Sequence, residues 1–200
     1  MDSTTALPAV ALYGLGIIGS RAADHLARAG YSLRTWSRSP RDREDFVADA
    51  GEAAAGAQVL AFYLKDAPAV REVFEAVRPR LGQGVTVVNH ATLDLDTTRW
   101  LEDECAATGA AFFNAPFTGS KVAAGKGALV YYAGGPAEVL AMLRPLLEAT
   151  SCRIMEVADA RAATVLKLTT NLISASTVQA LAEGLALNAA HGNDAATYLE

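Results

Sequence analysis

The sequence predicts an α/β chain built on a doubly wound, mostly parallel sheet, and three observations carry that prediction. Short apolar runs alternate with amphipathic stretches from Ala9 to Thr150. A glycine-rich turn follows the first apolar run, and the stretch from Asp159 to Ala190 keeps helical spacing without a proline. The chain has 200 residues, 52% of them apolar, which is enough to bury a sizeable core.

The first element is the run Ala9-Val10-Ala11-Leu12-Tyr13, which reads as a buried strand. Gly14-Leu15-Gly16-Ile17-Ile18-Gly19 comes next, and Ile17, Ile18, Ala22, Leu26 and Ala29 then recur at helical spacing as far as Gly30. The glycines therefore occupy a strand-to-helix turn, the place where Rossmann-type folds bind dinucleotides. Gly14 can take the tight turn, Gly16 lets a pyrophosphate approach without a Cβ in the way, and Gly19 lets helix and strand pack closely. The helix N-terminus adds free N–H groups and a partial positive charge.

The second strand is Tyr31-Ser32-Leu33-Arg34-Thr35-Trp36. An NAD-binding unit ends this strand with Asp or Glu on the ribose hydroxyls, whereas here Ser37, Arg38 and Ser39 follow. Arg38 can grip a 2′-phosphate in two-pronged fashion while the serine hydroxyls donate to its oxygens, so these residues favour NADP. Arg41 and Arg43 stand close enough in sequence to share or replace that role.

A polar helix is expected over Arg43 to Ala55, then a buried strand over Gln58 to Leu64. Asp66, with Pro68 behind it, can cap a helix running toward Val77, and Gly84 to Val88 supplies a further strand. Asn89-His90-Ala91-Thr92 lies just beyond it. Open α/β sheets place ligands outside the carboxyl ends of their strands, which makes Leu64, Lys65 and Thr92 candidates for cofactor contact. Ordinary capping and loop polarity explain Lys65 equally well.

A helix from Asp96 to Thr108 leads into a strand over Ala110 to Asn114, and regularity then breaks over Ala115 to Lys121. Within that break, Thr118, Gly119, Ser120 and Lys121 offer hydroxyls, free amides and an ammonium, a cradle suited to a substrate carboxylate or else a plain turn. Ala128 to Ala133 is a strand, and Gly134-Gly135-Pro136 turns into a helix ending near Thr150. The final stretch, Asp159 to Ala190, should be one long helix connecting two domains. On it Lys167 and Asn171 stand four apart on a single face, with Val165, Leu166 and Leu168 around the lysine. A helical lysine is ordinarily a solvated charge, but among these neighbours Lys167 is a candidate acid or base.

A net charge of -5 and scattered arginines argue against a nucleic-acid partner. No apolar run is long enough to span a membrane, and Met1-Asp2-Ser3-Thr4-Thr5 lacks leader features, so no membrane partner and a cytoplasmic location are expected. Cys105 and Cys152 are isolated thiols without ligand spacing, so neither a metal site nor cysteine catalysis is expected.

Taken in order, Gly14 to Gly19, Trp36 to Pro40, Ala115 to Ser120, and Lys167-Leu168-Thr169-Thr170-Asn171 resemble the motifs of the β-hydroxyacid dehydrogenase family, which includes 3-hydroxyisobutyrate dehydrogenase and the glyoxylate/succinic semialdehyde reductases. The resemblance implies an NADP-binding Rossmann domain over residues 1–160. An interdomain helix would fill residues 161–200 and begin an all-α C-terminal domain, most of which is absent from these 200 residues. That domain mediates homodimers or tetramers in the family. By the same resemblance Lys167 is the catalytic lysine, Asn171 positions the substrate, Thr118, Gly119 and Ser120 hold its carboxylate, and Thr92 lies near the nicotinamide.

The implied activity is hydride transfer between NADP and a small β-hydroxy acid or semialdehyde, with Lys167 giving or taking the hydroxyl proton. Three positions depart from the family pattern, and the larger side chains Asp159 and Arg161 would narrow the site or mark a different substrate. Thr118-Gly119-Ser120 replaces the usual Ser-Gly-Gly, as in the glyoxylate/succinic semialdehyde branch. Ala91 removes one hydroxyl before Thr92, and Asp159 and Arg161 stand where glycines are common. An imine reductase and a non-catalytic NADP-binding protein are the alternatives, and the retained Lys167 counts against both.

Overall fold

The computed structural model describes residues 7–194 and 196; the Met1 to Thr5 segment, where no leader is expected, lies outside the described residues. Five short strands form the parallel part of one sheet: β1 (Val10–Tyr13), β2 (Leu33–Trp36), β3 (Val59–Phe62), β4 (Thr86–Asn89) and β5 (Ala111–Asn114), in the order β2-β1-β3-β4-β5. Because β2 and β3 flank β1 on opposite sides, the strand order reverses beside β1. Such a reversal opens a crevice at the carboxyl ends of the strands.

The connecting helices cover both faces. Helix α1 (Gly19–Arg28) follows β1, and the four-residue α2 (Ala50–Ala53) precedes β3. Helix α3 (Ala67–Val77) follows β3, with the Asp66 carboxylate accepting from Ala69 N at 3.0 Å and Pro68 in its first turn. Helix α4 (Leu95–Thr108) follows β4, capped in the same way by Asp94. Alternate residues of each strand face opposite layers: Val10 and Leu12 pack with Leu26 and Val88, while Ala11 and Tyr13 pack with Phe62 and Phe74.

Beyond β5 the sheet changes direction. The two-residue β6 (Phe117–Thr118) and β5 both pair antiparallel with β7 (Leu129–Gly134), and β8 (Ser151–Val157) runs parallel to β7. Between them lie α5 (Lys121–Gly125) and α6 (Ala137–Glu148). No apolar run marks β8 in the sequence: Cys152, Arg153 and Glu156 are exposed and interrupt the pattern seen in the other strands.

The polar helix expected over Arg43 to Ala55 is mostly not a helix. Only Ala50–Ala53 is helical, and the segment before it lies along the free edge of β2. Thr35 N donates to Asp45 O at 2.7 Å and Val47 N to Thr35 O at 2.8 Å. An edge strand needs partners for its backbone groups, and this need outweighs the modest helical preference of a charged segment.

The last element is α7 (Ala160–Ala190), 31 residues long, opened by Asp159, which accepts from Ala162 N at 2.8 Å. Its first turns are buried at Ala160, Ala163 and Thr164, whereas Leu172, Ile173, Val178 and Leu187 are exposed. Among the described residues no helix is long and apolar enough to cross a membrane.

Candidate active site

The site begins at the carboxyl end of β1. Gly14 has φ +102°, and a Cβ there would lie 2.3 Å from the Tyr63 carbonyl oxygen, so only glycine lets the turn pass the end of β3. A Cβ on Gly19 would lie 1.9 Å from the Gly14 carbonyl oxygen, which explains how closely α1 fits its own turn. Gly16 differs, since a Cβ there would meet nothing within 4 Å. Two glycines shape the turn, and the third keeps open space at the start of a ten-residue helix, where an anion is favoured.

A cleft of about 570 Å³ opens over this turn. Gly14, Leu15, Gly16, Ile17, Ile18 and Gly19 all line it. On the β2 side stand Trp36, Ser37, Arg38, Ser39 and Arg41, and on the β3 and β4 side Tyr63, Leu64, Lys65, His90, Ala91 and Thr92. Every residue expected from the sequence to contact the cofactor therefore borders one cleft. The open face at Gly16, beside a helix N-terminus, suits the diphosphate of a dinucleotide.

On the β2 side the Arg38 guanidinium is exposed and lies 2.6 Å from the Glu72 carboxylate of α3. Ser37 does not present a free hydroxyl proton, because its Oγ donates to the Ser39 carbonyl at 2.6 Å. Arg43 is engaged elsewhere, with Asp24 at 2.6 Å and Asp45 at 2.8 Å, which leaves Arg41 as the arginine able to share the role of Arg38. Lys65 is almost fully exposed, 3.8 Å from Asp66.

A buried polar chain ties α7 to the carboxyl ends of β4 and β5. Asn89 Nδ2 donates to Asn114 Oδ1 at 2.8 Å, and Asn114 Nδ2 donates to the Ala160 carbonyl and Thr164 Oγ1, both at 2.8 Å. Thr164 Oγ1 also meets Thr98 Oγ1 of α4 at 2.8 Å. Lys167 stands one turn beyond Thr164, half-buried, and burial pulls its ammonium below the ordinary lysine range. Among the described residues no carboxylate pairs with it. Asn171, one turn further, is exposed, and neither residue lines the cleft.

The loop expected to hold a carboxylate also stands outside the cleft. Thr118 pairs with Val130, Gly119 at φ +142° packs against Leu129, and Ser120 Oγ accepts from Ala123 N at 3.3 Å as the cap of α5. Phe117, just before them, does line the cleft.

Among the lining residues that sequence reasoning missed are Tyr63 and His90. Their rings stack at 4.2 Å, and the Tyr63 hydroxyl meets that of Tyr131 at 2.7 Å. His90 lies in the loop already singled out beyond β4, where a polar residue closing an apolar strand was the available signal. Its Nδ1 is 2.8 Å from the Ala115 carbonyl, and burial pulls its pKa down to about 4, so the ring is neutral near pH 7. Among the described residues no group of three or more His, Cys, Asp or Glu side chains is placed to hold a metal ion.

Residues 9–158 match the model of the NAD binding domain of 6-phosphogluconate dehydrogenase. The 3-hydroxyisobutyrate dehydrogenase of Pseudomonas aeruginosa is 27% identical over 201 residues, an alignment covering 96% of this chain and 67% of that protein. Among solved structures, the 3-hydroxyisobutyrate dehydrogenase of Mycobacterium tuberculosis with L-serine superposes with a TM-score of 0.87 at 24% identity, over 95% of this chain and 68% of that one. A reductive aminase of Aspergillus terreus in complex with NADPH and ethyl levulinate shares the fold at a TM-score of 0.82 and 20% identity, over 97% of this chain and 70% of that one. With the family model spanning the whole sheet and the cleft above it, the chain belongs to the β-hydroxyacid dehydrogenase family of NAD(P)-dependent oxidoreductases.

Proposed function

We propose that the protein is an NADP-dependent reductase or dehydrogenase of a small β-hydroxy acid or semialdehyde, of the 3-hydroxyisobutyrate, succinic semialdehyde or glyoxylate type. In this reading residues 1–160 hold the nucleotide, residues 161–200 carry the proton-transfer lysine, and copies assemble as a homodimer or tetramer through the helical part. The observation that carries it is Lys167, half-buried on a helix whose first turns are bonded to the carboxyl edge of the sheet. A lysine with a lowered pKa, on a helix bonded to the sheet edge at which the cleft opens, is suited to acid–base work.

When bound, the nicotinamide supplies the hydride. The glycine turn would hold the diphosphate, Arg38 and Arg41 would favour a 2′-phosphate, Leu64 and Lys65 would contact the nucleotide, and Thr92 would lie near the nicotinamide. As the carbonyl carbon is reduced, negative charge develops on its oxygen, and the Lys167 ammonium donates the proton that makes the hydroxyl. The lysine is left as a neutral amine, a form that partial burial favours. Asn171 keeps that oxygen in line, and Thr118, Gly119 and Ser120 receive the carboxylate. The reductive aminase shares the fold alone, and Lys167 supports the hydroxy-acid reading over imine reduction or plain nucleotide storage.

The test follows NADPH absorbance with succinic semialdehyde, glyoxylate and related semialdehydes, using Lys167→Met as control. Turnover with at least one of these substrates, lost in the variant while NADPH binding persists, is the expected result. Unchanged turnover in the variant removes Lys167 from the chemistry.

A further inference from the structure

Only one buried side-chain polar atom among the described residues lacks a hydrogen-bond partner, and it is His90 Nε2. Its chemistry is fixed from the other side of the ring. The Ala115 carbonyl can only accept, so Nδ1 carries the proton and Nε2 is left as a bare acceptor. Stacking on Tyr63 and contact with Tyr131 hold the ring plane, so a rotamer change toward solvent is not an easy escape. An unpaired buried acceptor is costly, and native cores rarely keep one without a use.

His90 is 1% exposed yet borders the nucleotide cleft, beside Tyr63, whose carbonyl closes over Gly14. Lys167 does not border that cleft. The donor that Nε2 lacks is therefore sought on the nucleotide rather than on the substrate. Of the groups at the reactive end of a nicotinamide nucleotide, the carboxamide is the one that carries N–H donors.

Resting on the cofactor reading above, we propose that His90 Nε2 accepts a hydrogen bond from the carboxamide amino group of the nicotinamide, making His90 a positioning residue for the reactive ring. With the amide held, one rotation of the ring about its link to the ribose is selected, and with it the face that is offered for hydride transfer.

Binding without substrate tests this. Tryptophan fluorescence, with Trp36 in the cleft as reporter, gives dissociation constants for NADP⁺, for its thionicotinamide analogue, which keeps the amino group, and for its 3-acetylpyridine analogue, which carries methyl there. Wild type should bind the first two alike and the acetylpyridine analogue about five- to tenfold more weakly, the loss of one hydrogen bond from a buried acceptor. In His90→Phe the three should bind alike. A wild-type ratio near one, or a ratio that survives in His90→Phe, overturns the proposal. Nitrogen-15 spectra of the wild-type imidazole decide the matter independently of that variant's folding: the Nε2 resonance should move with NADP⁺ and stay put with the acetylpyridine analogue, and the converse refutes it. If none of the three nucleotides binds, the cofactor reading falls and takes this one with it. Binding without discrimination leaves the cofactor reading standing and removes only the role of His90.

Discussion

The guanidinium of Arg38 and the carboxylate of Glu72 lie 2.6 Å apart, joining the loop after β2 to helix α3 at one side of the nucleotide cleft. Both side chains are largely exposed, so the pair is weak and salt-sensitive. A 2′-phosphate must compete with Glu72 for this arginine. Glu72→Gln is expected to tighten NADPH binding about two- to fivefold at low salt and to leave NADH binding unchanged, consistent with the small energies of exposed pairs. Arg38→Gln should weaken NADPH selectively. Titrations of both nucleotides at two salt concentrations check the pattern.

Lys167→Met should lower kcat about 10²- to 10⁴-fold with little change in NADPH affinity. The pH profile supplies the sign. Reduction needs the ammonium, so its rate should fall as pH rises through the lysine pKa, at a value below the ordinary 10.5. The oxidation direction needs the amine and should show the opposite limb. A reduction rate that is flat up to pH 10.5 would contradict the assignment.

His90 makes stability depend on acid. Its pKa is about 4 when folded and 6.5 in the free side chain, so the unfolded chain binds the extra proton first as pH falls. The histidine contribution is fully present above pH 6.5 and drains away between 6.5 and 4, to a total of roughly 3 kcal/mol. Urea unfolding across this range should show that slope in wild type, and His90→Phe should flatten it.

The three glycines of the turn should separate by phenotype. Gly16→Ala adds a methyl to open space and is expected to leave stability nearly intact while weakening NADPH at least about tenfold. Gly19→Ala drives a methyl into the Gly14 carbonyl and should cost about 1–3 kcal/mol of stability. Thermal melts and nucleotide titrations on the same samples distinguish the two.

Asn114→Leu removes the centre of the chain linking Asn89, Thr164 and the Ala160 carbonyl. Stranding these groups should cost about 1–3 kcal/mol. Because Lys167 stands one turn beyond Thr164, kcat should fall more than nucleotide affinity does. Equal losses in both would mean that the chain only stabilises the fold.

The parts of this molecule that were legible in sequence are those where local chemistry and tertiary structure agree. Gly14 to Gly19 sat between an apolar run and an amphipathic one, and Asp66 announced the helix that follows it. Arg43 to Val47 misled because the demand it satisfies, an unpaired edge at Thr35, belongs to a strand ten residues away. Strand β8 was hidden because it is half-wet and its residues alternate poorly. At the site, Arg38 was visible but its partner Glu72 was not, since only the fold brings α3 beside β2. The Thr118 to Ser120 loop, read as a carboxylate cradle, stands outside the nucleotide cleft, and no pattern in the chain reports where a cavity lies.

Because β2 and β3 leave β1 on opposite sides, the loop bearing Ser37, Arg38 and Ser39 and the loop bearing His90, Ala91 and Thr92 are separated by the glycine turn. The two halves of a nucleotide are thus judged by independent committees. With the roles proposed for Arg38 and His90, substitutions in the first loop should change coenzyme preference without altering the face used for hydride transfer, and mutations in the two loops should combine without epistasis.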